Sequence, residues 1–100
     1  MTKKYVVTID KDIKEIVPNF IANRENDLLQ LQKYINENQY EEIKVIGHKL
    51  SGNAPSYGFD YLGKIGHELE ISAEQKKHEE IINCIENFNE FMSNYEIKYE

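Results

Sequence analysis

The sequence has 100 residues, 40% of them hydrophobic, which suits one compact domain with a core and leaves no room for a second. Its formal charge is −6 and no run of lysine or arginine forms a stripe, so the composition argues against nucleic-acid binding. No apolar stretch approaches the roughly 20 residues that span a bilayer, and the N-terminus lacks the apolar core of a signal peptide. A single cysteine, Cys84, excludes an internal disulfide, and we expect a cytoplasmic protein without a membrane association.

The chain is expected to form one domain over residues 1–100, with an N-terminal arm over residues 1–11 and a bundle over about residues 12–100. Tyr5 to Ile9 is β-like by residue type, but it is a single short run with no evident partner strand. We therefore expect a short extended or helical arm that lies on the domain.

Four amphipathic helices are expected after the arm. The first begins near Asp12, a candidate N-cap with Glu15 as its capping-box partner, and is expected to restart at Pro18. The second runs from about Tyr40 past His48, the third follows the turn-prone residues 51–58, and the fourth continues to the C-terminal tyrosines. Short polar connections between these helices predict an all-α, antiparallel four-helix bundle. Its core-facing positions are Ile13, Ile16, Val17, Phe20, Ile21, Leu28, Leu31, Ile35, Ile43, Ile46, Leu50, Leu62, Ile65, Leu69, Ile81, Ile82, Ile85, Phe88, Phe91, Met92, Tyr95 and Tyr99.

His48 is predicted to point away from the core. At about 100° per residue, Ile46 and Leu50 lie within about 60° of Ile43 and define the buried side of the second helix. His48 lies about 140° round from Ile43, well outside this apolar stripe. The wheel therefore predicts an exposed imidazole.

Three residues accompany His48 on its face of the helix. The wheel places Lys44 and Ser51 within about 60° of His48, and Gly52 about 40° beyond it. An exposed imidazole is in good part neutral and nucleophilic near pH 7. Lys44 could offset the charge of an arriving phosphoryl group, and Gly52 leaves space for the backbone of a partner. A surface histidine near a lysine is common, however, so spacing alone assigns no function.

The stretch Ile46–Gly52 (IGHKLSG) resembles the signature of histidine-phosphotransfer (HPt) domains. These domains carry a phosphoacceptor histidine on the second long helix of a four-helix bundle. His48 matches the phosphoacceptor, Leu50 the apolar position of the signature and Gly52 its glycine. The resemblance continues through the turn at residues 56–59 into the third helix, and upstream into the first long helix, so it covers nearly the whole chain.

This resemblance implies a carrier in a two-component phosphorelay. The histidine of such proteins takes a phosphoryl group from the aspartyl phosphate of one receiver domain and passes it to the aspartate of another. We therefore expect a monomeric, stoichiometric carrier, without kinase activity of its own, whose partners are response-regulator receiver domains, a hybrid sensor histidine kinase, or both. No cofactor is expected in this chain, since the receiver supplies Mg²⁺. The expected receiver-docking residues beside His48 are Val45, Lys49, Pro55, Tyr57 and Phe59.

One position departs from the family pattern. Three residues after the histidine, where the family usually has a lysine that is thought to stabilise phosphohistidine, this chain has Ser51. Lys44 is our candidate for part of that role, because Lys49 points about 100° away from His48. Two alternatives stay open, and this departure supports the first of them. The chain could be a degenerate HPt-like bundle that docks a receiver or kinase without being phosphorylated, or an unrelated helical interaction module with an incidental histidine.

The remaining chemistry-bearing residues predict no further site. His67 and His78 do not share the three- or four-residue spacing that places two metal ligands on one helix face, so no metal site is expected, even with Glu68 or Glu70 nearby. Cys84 is expected to be a small residue near the edge of the core. The acidic residues between positions 68 and 80 are expected to form a solvated face.

Overall fold

The computed structural model describes residues 4–100, which form four α-helices and one small sheet. The helices are α1 (Val17–Asn36), α2 (Tyr40–Asn53), α3 (Asp60–Glu74) and α4 (His78–Asn94). The strands are β1 (Tyr5–Ile9) and β2 (Tyr95–Tyr99), and two short 3-10 helices, Lys11–Ile16 and Ala54–Tyr57, precede α1 and α3. The predicted all-α four-helix bundle is confirmed. Residues 1–3 of the expected arm lie outside the described residues.

The four helices pack in a ring in which each contacts the helices before and after it, and α1 also contacts α4. Three-residue connections follow α1 and α3, and they reverse the chain direction within a short span. Asn38 and Lys76 in these connections adopt left-handed conformations, with φ of 57° and 55°. The largest fully buried side chains come from all four helices, from β1 and from the residue directly before α3: Ile9, Val17, Leu31, Ile43, Leu50, Phe59, Leu62, Leu69, Ile81, Phe88 and Phe91.

The start of the first helix differs from its predicted form. The N-cap is Asp10 rather than Asp12, because the Asp10 carboxylate accepts a hydrogen bond from the Asp12 backbone N–H at 2.9 Å. The cap opens a 3-10 helix over Lys11–Ile16, and the α-helix begins only at Val17. Pro18 lies in the first turn of α1, as predicted, where its missing N–H costs no hydrogen bond.

The N-terminal segment is a paired strand, so the expectation that Tyr5–Ile9 has no partner is wrong. β1 pairs in parallel with β2, from Tyr5 opposite Tyr95 to Ile9 opposite Tyr99. The placement of Tyr95 and Tyr99 on the fourth helix is wrong for the same reason. Residues four apart lie on one face of a helix and also on one face of a strand, so the spacing of Tyr95 and Tyr99 fits both structures. In the structure these residues belong to β2, which lies beside β1 over the bundle core.

The described chain has no candidate for a membrane-spanning helix. Among residues 4–100, no helix combines the length and the apolar character that crossing a membrane requires.

Candidate functional site

Glycines allow α2 and α3 to approach closely. A Cβ atom added to Gly47 would lie 2.7 Å from both the Gly66 carbonyl oxygen and the Glu70 backbone nitrogen. A Cβ atom added to Gly66 would lie 2.6 Å from the Ser51 backbone nitrogen. Because contacts this short are not tolerated between real Cβ atoms and backbone, only glycine permits the observed spacing. Side chains at the edge of one helix can therefore reach the other.

His48 uses this closeness to contact α3. Its side chain is 74% exposed, on the solvent side of α2 as the helical wheel predicts. The Nδ1 atom lies 2.9 Å from Oε2 of Glu70, a carboxylate that is only 26% exposed. Within residues 4–100, Nε2 has no hydrogen-bond partner. The ring is thus held by one nitrogen and presents the other to solvent.

A second polar pair lies one helical turn from the first. The Lys44 ammonium lies 3.7 Å from Oε1 of Glu74. Lys44 precedes His48 by four residues on α2, and Glu74 follows Glu70 by four residues on α3, as the antiparallel register requires. Lys44 is on the predicted face, but its charge is already shared with a carboxylate. The two pairs lie side by side along the α2–α3 edge.

Ser51 and Gly52 lie on the other side of His48 along α2. No atom lies within 4 Å of a Cβ atom built on exposed Gly52, so the space above it is open. Ser51 is half-buried and lines an open groove of about 410 Å³ between α2 and α3, together with Pro55, Lys64 and His67. We name this space the Ser51 groove.

The five predicted docking residues do not share one environment. Val45 is 47% exposed, and Lys49 and Pro55 are also exposed near His48. Tyr57 is half-buried, and its ring lies 4.5 Å from that of Phe20.

Phe59 is a correction to the predicted docking set, because its side chain is fully buried. Its ring stacks on Phe20 at 4.9 Å and contacts Phe91 edge-on at 6.2 Å. Phe59 therefore belongs to the core, because a large aromatic side chain directly before α3 gains more by burial than by exposure. Ile71 on α3 is an exposed apolar residue, 42% accessible, that was not among the predicted docking residues.

Two further titratable residues, His78 and Cys84, belong to other parts of the bundle. His78 Nδ1 lies 2.9 Å from the Tyr40 hydroxyl at the N-terminal ends of α4 and α2. Cys84 is buried, and burial together with the nearby Glu68 carboxylate raises the pKa of its thiol to about 11. Within residues 4–100, no group of three or more His, Cys, Asp or Glu side chains is arranged to hold a metal ion.

Glu70 is the site residue that the sequence analysis missed. It was assigned to a solvated acidic face, although it directly follows the fully buried Leu69. The available signal was the glycine spacing: Gly47 precedes His48, Gly66 precedes Glu70 by one turn, and antiparallel contact at these glycines places the two side chains together.

The fold and the site define a class: a small four-helix bundle that presents a hydrogen-bonded histidine to solvent from its second helix. The Hpt domain family model matches residues 15–94, which is most of the chain, so the chain belongs to the Hpt domain family. Hpt domains are phosphocarrier modules that exchange phosphoryl groups with receiver domains and kinases in two-component systems. Neither the curated proteins nor the solved structures gave a match.

Proposed function

We propose that this chain carries a phosphoryl group on Nε2 of His48 between receiver-domain aspartates. The observation that carries the proposal is the environment of the two imidazole nitrogens. Nδ1 lies within hydrogen-bond distance of Glu70, at 2.9 Å, while the side chain is mostly exposed. A hydrogen bond from Nδ1–H to a carboxylate favours the tautomer whose lone pair is on Nε2. The nucleophile then faces the direction from which a partner can arrive.

The transfer step follows from this geometry. Nε2 attacks the phosphorus atom of the receiver's aspartyl phosphate in line with the bond to the carboxylate oxygen, which breaks as the N–P bond forms. Nδ1 keeps its proton during the attack, and the Glu70 carboxylate offsets the positive charge that develops on the ring. Return of the phosphoryl group to an aspartate reverses these events. Mg²⁺ and most of the catalytic groups would come from the receiver, so the chain acts as a stoichiometric carrier.

The surface around His48 supports docking of a receiver domain. Val45 and Pro55 provide exposed apolar contacts, Lys49 provides a charge, and open space above Gly52 admits partner backbone. Lys44, which Glu74 holds at 3.7 Å, can turn to the phosphoryl group when that group provides more negative charge. A hybrid sensor kinase as the source of the phosphoryl group, a monomeric state and a cytoplasmic location belong to the same proposal.

The alternative function is docking without phosphorylation, and Ser51 is the observation that favours it. The position where the family usually has a lysine holds a short, half-buried hydroxyl side chain, so α2 supplies no cation there. A degenerate bundle would keep the docking surface and lose the transfer.

Phosphotransfer from a receiver phosphorylated on its aspartate, in the presence of Mg²⁺, separates the two functions. We expect an acid-labile, base-stable label that peptide mass spectrometry assigns to His48 and that His48→Gln abolishes. A receiver with asparagine in place of its phosphoacceptor aspartate is the matched negative control. A complex that forms with several receivers while His48 stays unlabelled would overturn the carrier function and favour the docking module.

A further inference from the structure

The Ser51 groove lies beside the proposed phosphoacceptor and has two basic side chains, Lys64 and His67, on its α3 wall. Ser51 follows His48 by three residues, and its backbone nitrogen lies against Gly66, so His67 is level with Ser51 across the groove. Lys64 lies one turn earlier on α3. Both side chains are exposed at the groove wall.

These two side chains are uncommitted, in contrast to Lys44. Among residues 4–100, neither Lys64 nor His67 has an ion-pair or hydrogen-bond partner, whereas Lys44 is held by Glu74. Their donors are therefore free to meet an anion that enters the groove.

Two acidic residues, Asp60 and Glu68, also border the groove. The Glu68 carboxylate is directed towards α4, and Asp60 lies at the far end of the groove from His67. The Glu68 carboxylate lies 4.0 Å from Sγ of Cys84, on the side that faces α4. Asp60 is the first residue of α3, nearly two turns before His67, where the positive end of the helix dipole offsets its charge.

We propose that the Ser51 groove is a phosphoryl-binding subsite in which Lys64 and His67 of α3 provide the donors that α2 lacks at Ser51. The inference rests on the proposed phosphoacceptor function of His48. Because Ser51 is short, the phosphoryl group on Nε2 can lean over it towards α3. The Lys64 ammonium offsets the negative charge of the phosphoryl oxygens, and a His67 ring N–H donates to them.

The lifetime of phosphohistidine tests this subsite without any partner protein. Phosphoramidate phosphorylates histidine directly: the N–P bond to Nε2 forms, the P–N bond of the reagent breaks, and ammonia leaves. After removal of the reagent, the label at His48 is followed over time by peptide mass spectrometry, which separates it from label on other histidines. Phosphohistidine is lost through its ring-protonated form, and a neighbouring cation disfavours that form.

We expect Lys64→Gln to shorten the half-life of the label at His48 by about threefold, and Lys64→Gln with His67→Gln by up to about tenfold, as Coulomb interactions at a protein surface allow. Lys98→Gln, at an exposed position on β2, is the matched control and should leave the half-life unchanged. Adding Ser51→Lys to the double variant should restore the half-life, because it places an ammonium group in the same groove.

An unchanged half-life in the double variant, or no recovery with Ser51→Lys, would overturn the subsite. Neither result would contradict the proposed carrier function, because the receiver assay tests that function separately. Conversely, failure of receivers to label His48 would leave the lifetime test standing, because phosphoramidate needs no receiver. Thermal unfolding of each variant verifies that the bundle is intact, which is expected because both substituted side chains are exposed.

Discussion

Two glycines on the same helix allow a sharp test of the α2–α3 contact. Gly47→Ala would place a methyl group 2.7 Å from two backbone atoms of α3 and 3.0 Å from the Leu69 Cβ atom. Gly52→Ala would place the same group where nothing lies within 4 Å. Both substitutions remove one glycine from α2 and add one methyl group, so the contact with α3 is the main difference between them.

The expected difference in stability follows from this comparison. Replacing glycine by alanine inside a helix gains about 0.5–1 kcal/mol from backbone entropy and helix propensity, a gain common to both variants and smaller at Gly52 near the helix end. Relieving the contacts at Gly47 requires α2 and α3 to move apart, because the obstructing atoms are mostly backbone. Overpacking of this kind costs about 1–3 kcal/mol. The free energy of unfolding should therefore be lower for Gly47→Ala than for Gly52→Ala by about that amount.

Thermal unfolding and urea titration measure this difference. A change of 1 kcal/mol corresponds to about 4–8 °C in Tm for a domain of this size. We expect Gly52→Ala to unfold at or slightly above the wild-type temperature and Gly47→Ala several degrees below it, with a slower phosphorylation of His48 because Glu70 moves away with α3. Equal melting temperatures for the two variants would refute the argument that close approach at Gly47 builds the site.

Four further predictions address individual residues. Glu70→Gln should lower the rate at which a receiver phosphorylates His48 by about tenfold or more, because the imidazole loses its charged partner. Glu70→Ala should lower this rate further, and ¹⁵N NMR of the imidazole should show a changed tautomer population. Lys44→Ala should shorten the phosphohistidine lifetime, and an unchanged rate and lifetime would remove Lys44 from the site. Ile9→Ala should cost about 2–5 kcal/mol by chemical denaturation, since the side chain is only 1% exposed, whereas Val6→Ala on the same strand should cost little. Cys84 should react slowly with iodoacetamide at pH 8 until the protein unfolds, because a raised thiol pKa leaves little thiolate at that pH.

The sequence predicted those parts of the fold that depend on local periodicity. The three-and-four spacing of apolar residues identified all four helices, and the polar, turn-prone stretches identified the connections between them. The β1–β2 pair was missed because its strands lie 90 residues apart in register, from Tyr5 to Tyr95. Each strand alone is a five-residue run, and nothing local in such a run reveals a partner at the other end of the chain.

For the candidate site, the sequence predicted the residues on α2 but not their partners on α3. The positions of His48, Lys44 and Gly52 follow from one helix, so a helical wheel sufficed. Glu70 and the α3 wall of the Ser51 groove depend on how α3 lies against α2, and a wheel drawn for one helix contains no such information. Phe59 was misassigned because an apolar residue beside a turn fits a docking surface and a core equally well until its aromatic neighbours, Phe20 and Phe91, are placed.

The chemistry around His48 therefore depends on two helices rather than on one motif. The proposed phosphoacceptor is on α2, but the carboxylate that contacts it and the two basic residues of the Ser51 groove, Lys64 and His67, are on α3. The glycines between them set the distance, since a single Cβ atom at Gly47 or Gly66 would separate these groups. In the proposed subsite, side chains of either helix can hold the phosphoryl group, so we expect that a missing lysine on α2 does not by itself make the bundle inactive. The lifetime of phosphohistidine should instead follow the positive charge that side chains of α2 and α3 together place around the phosphoryl oxygens.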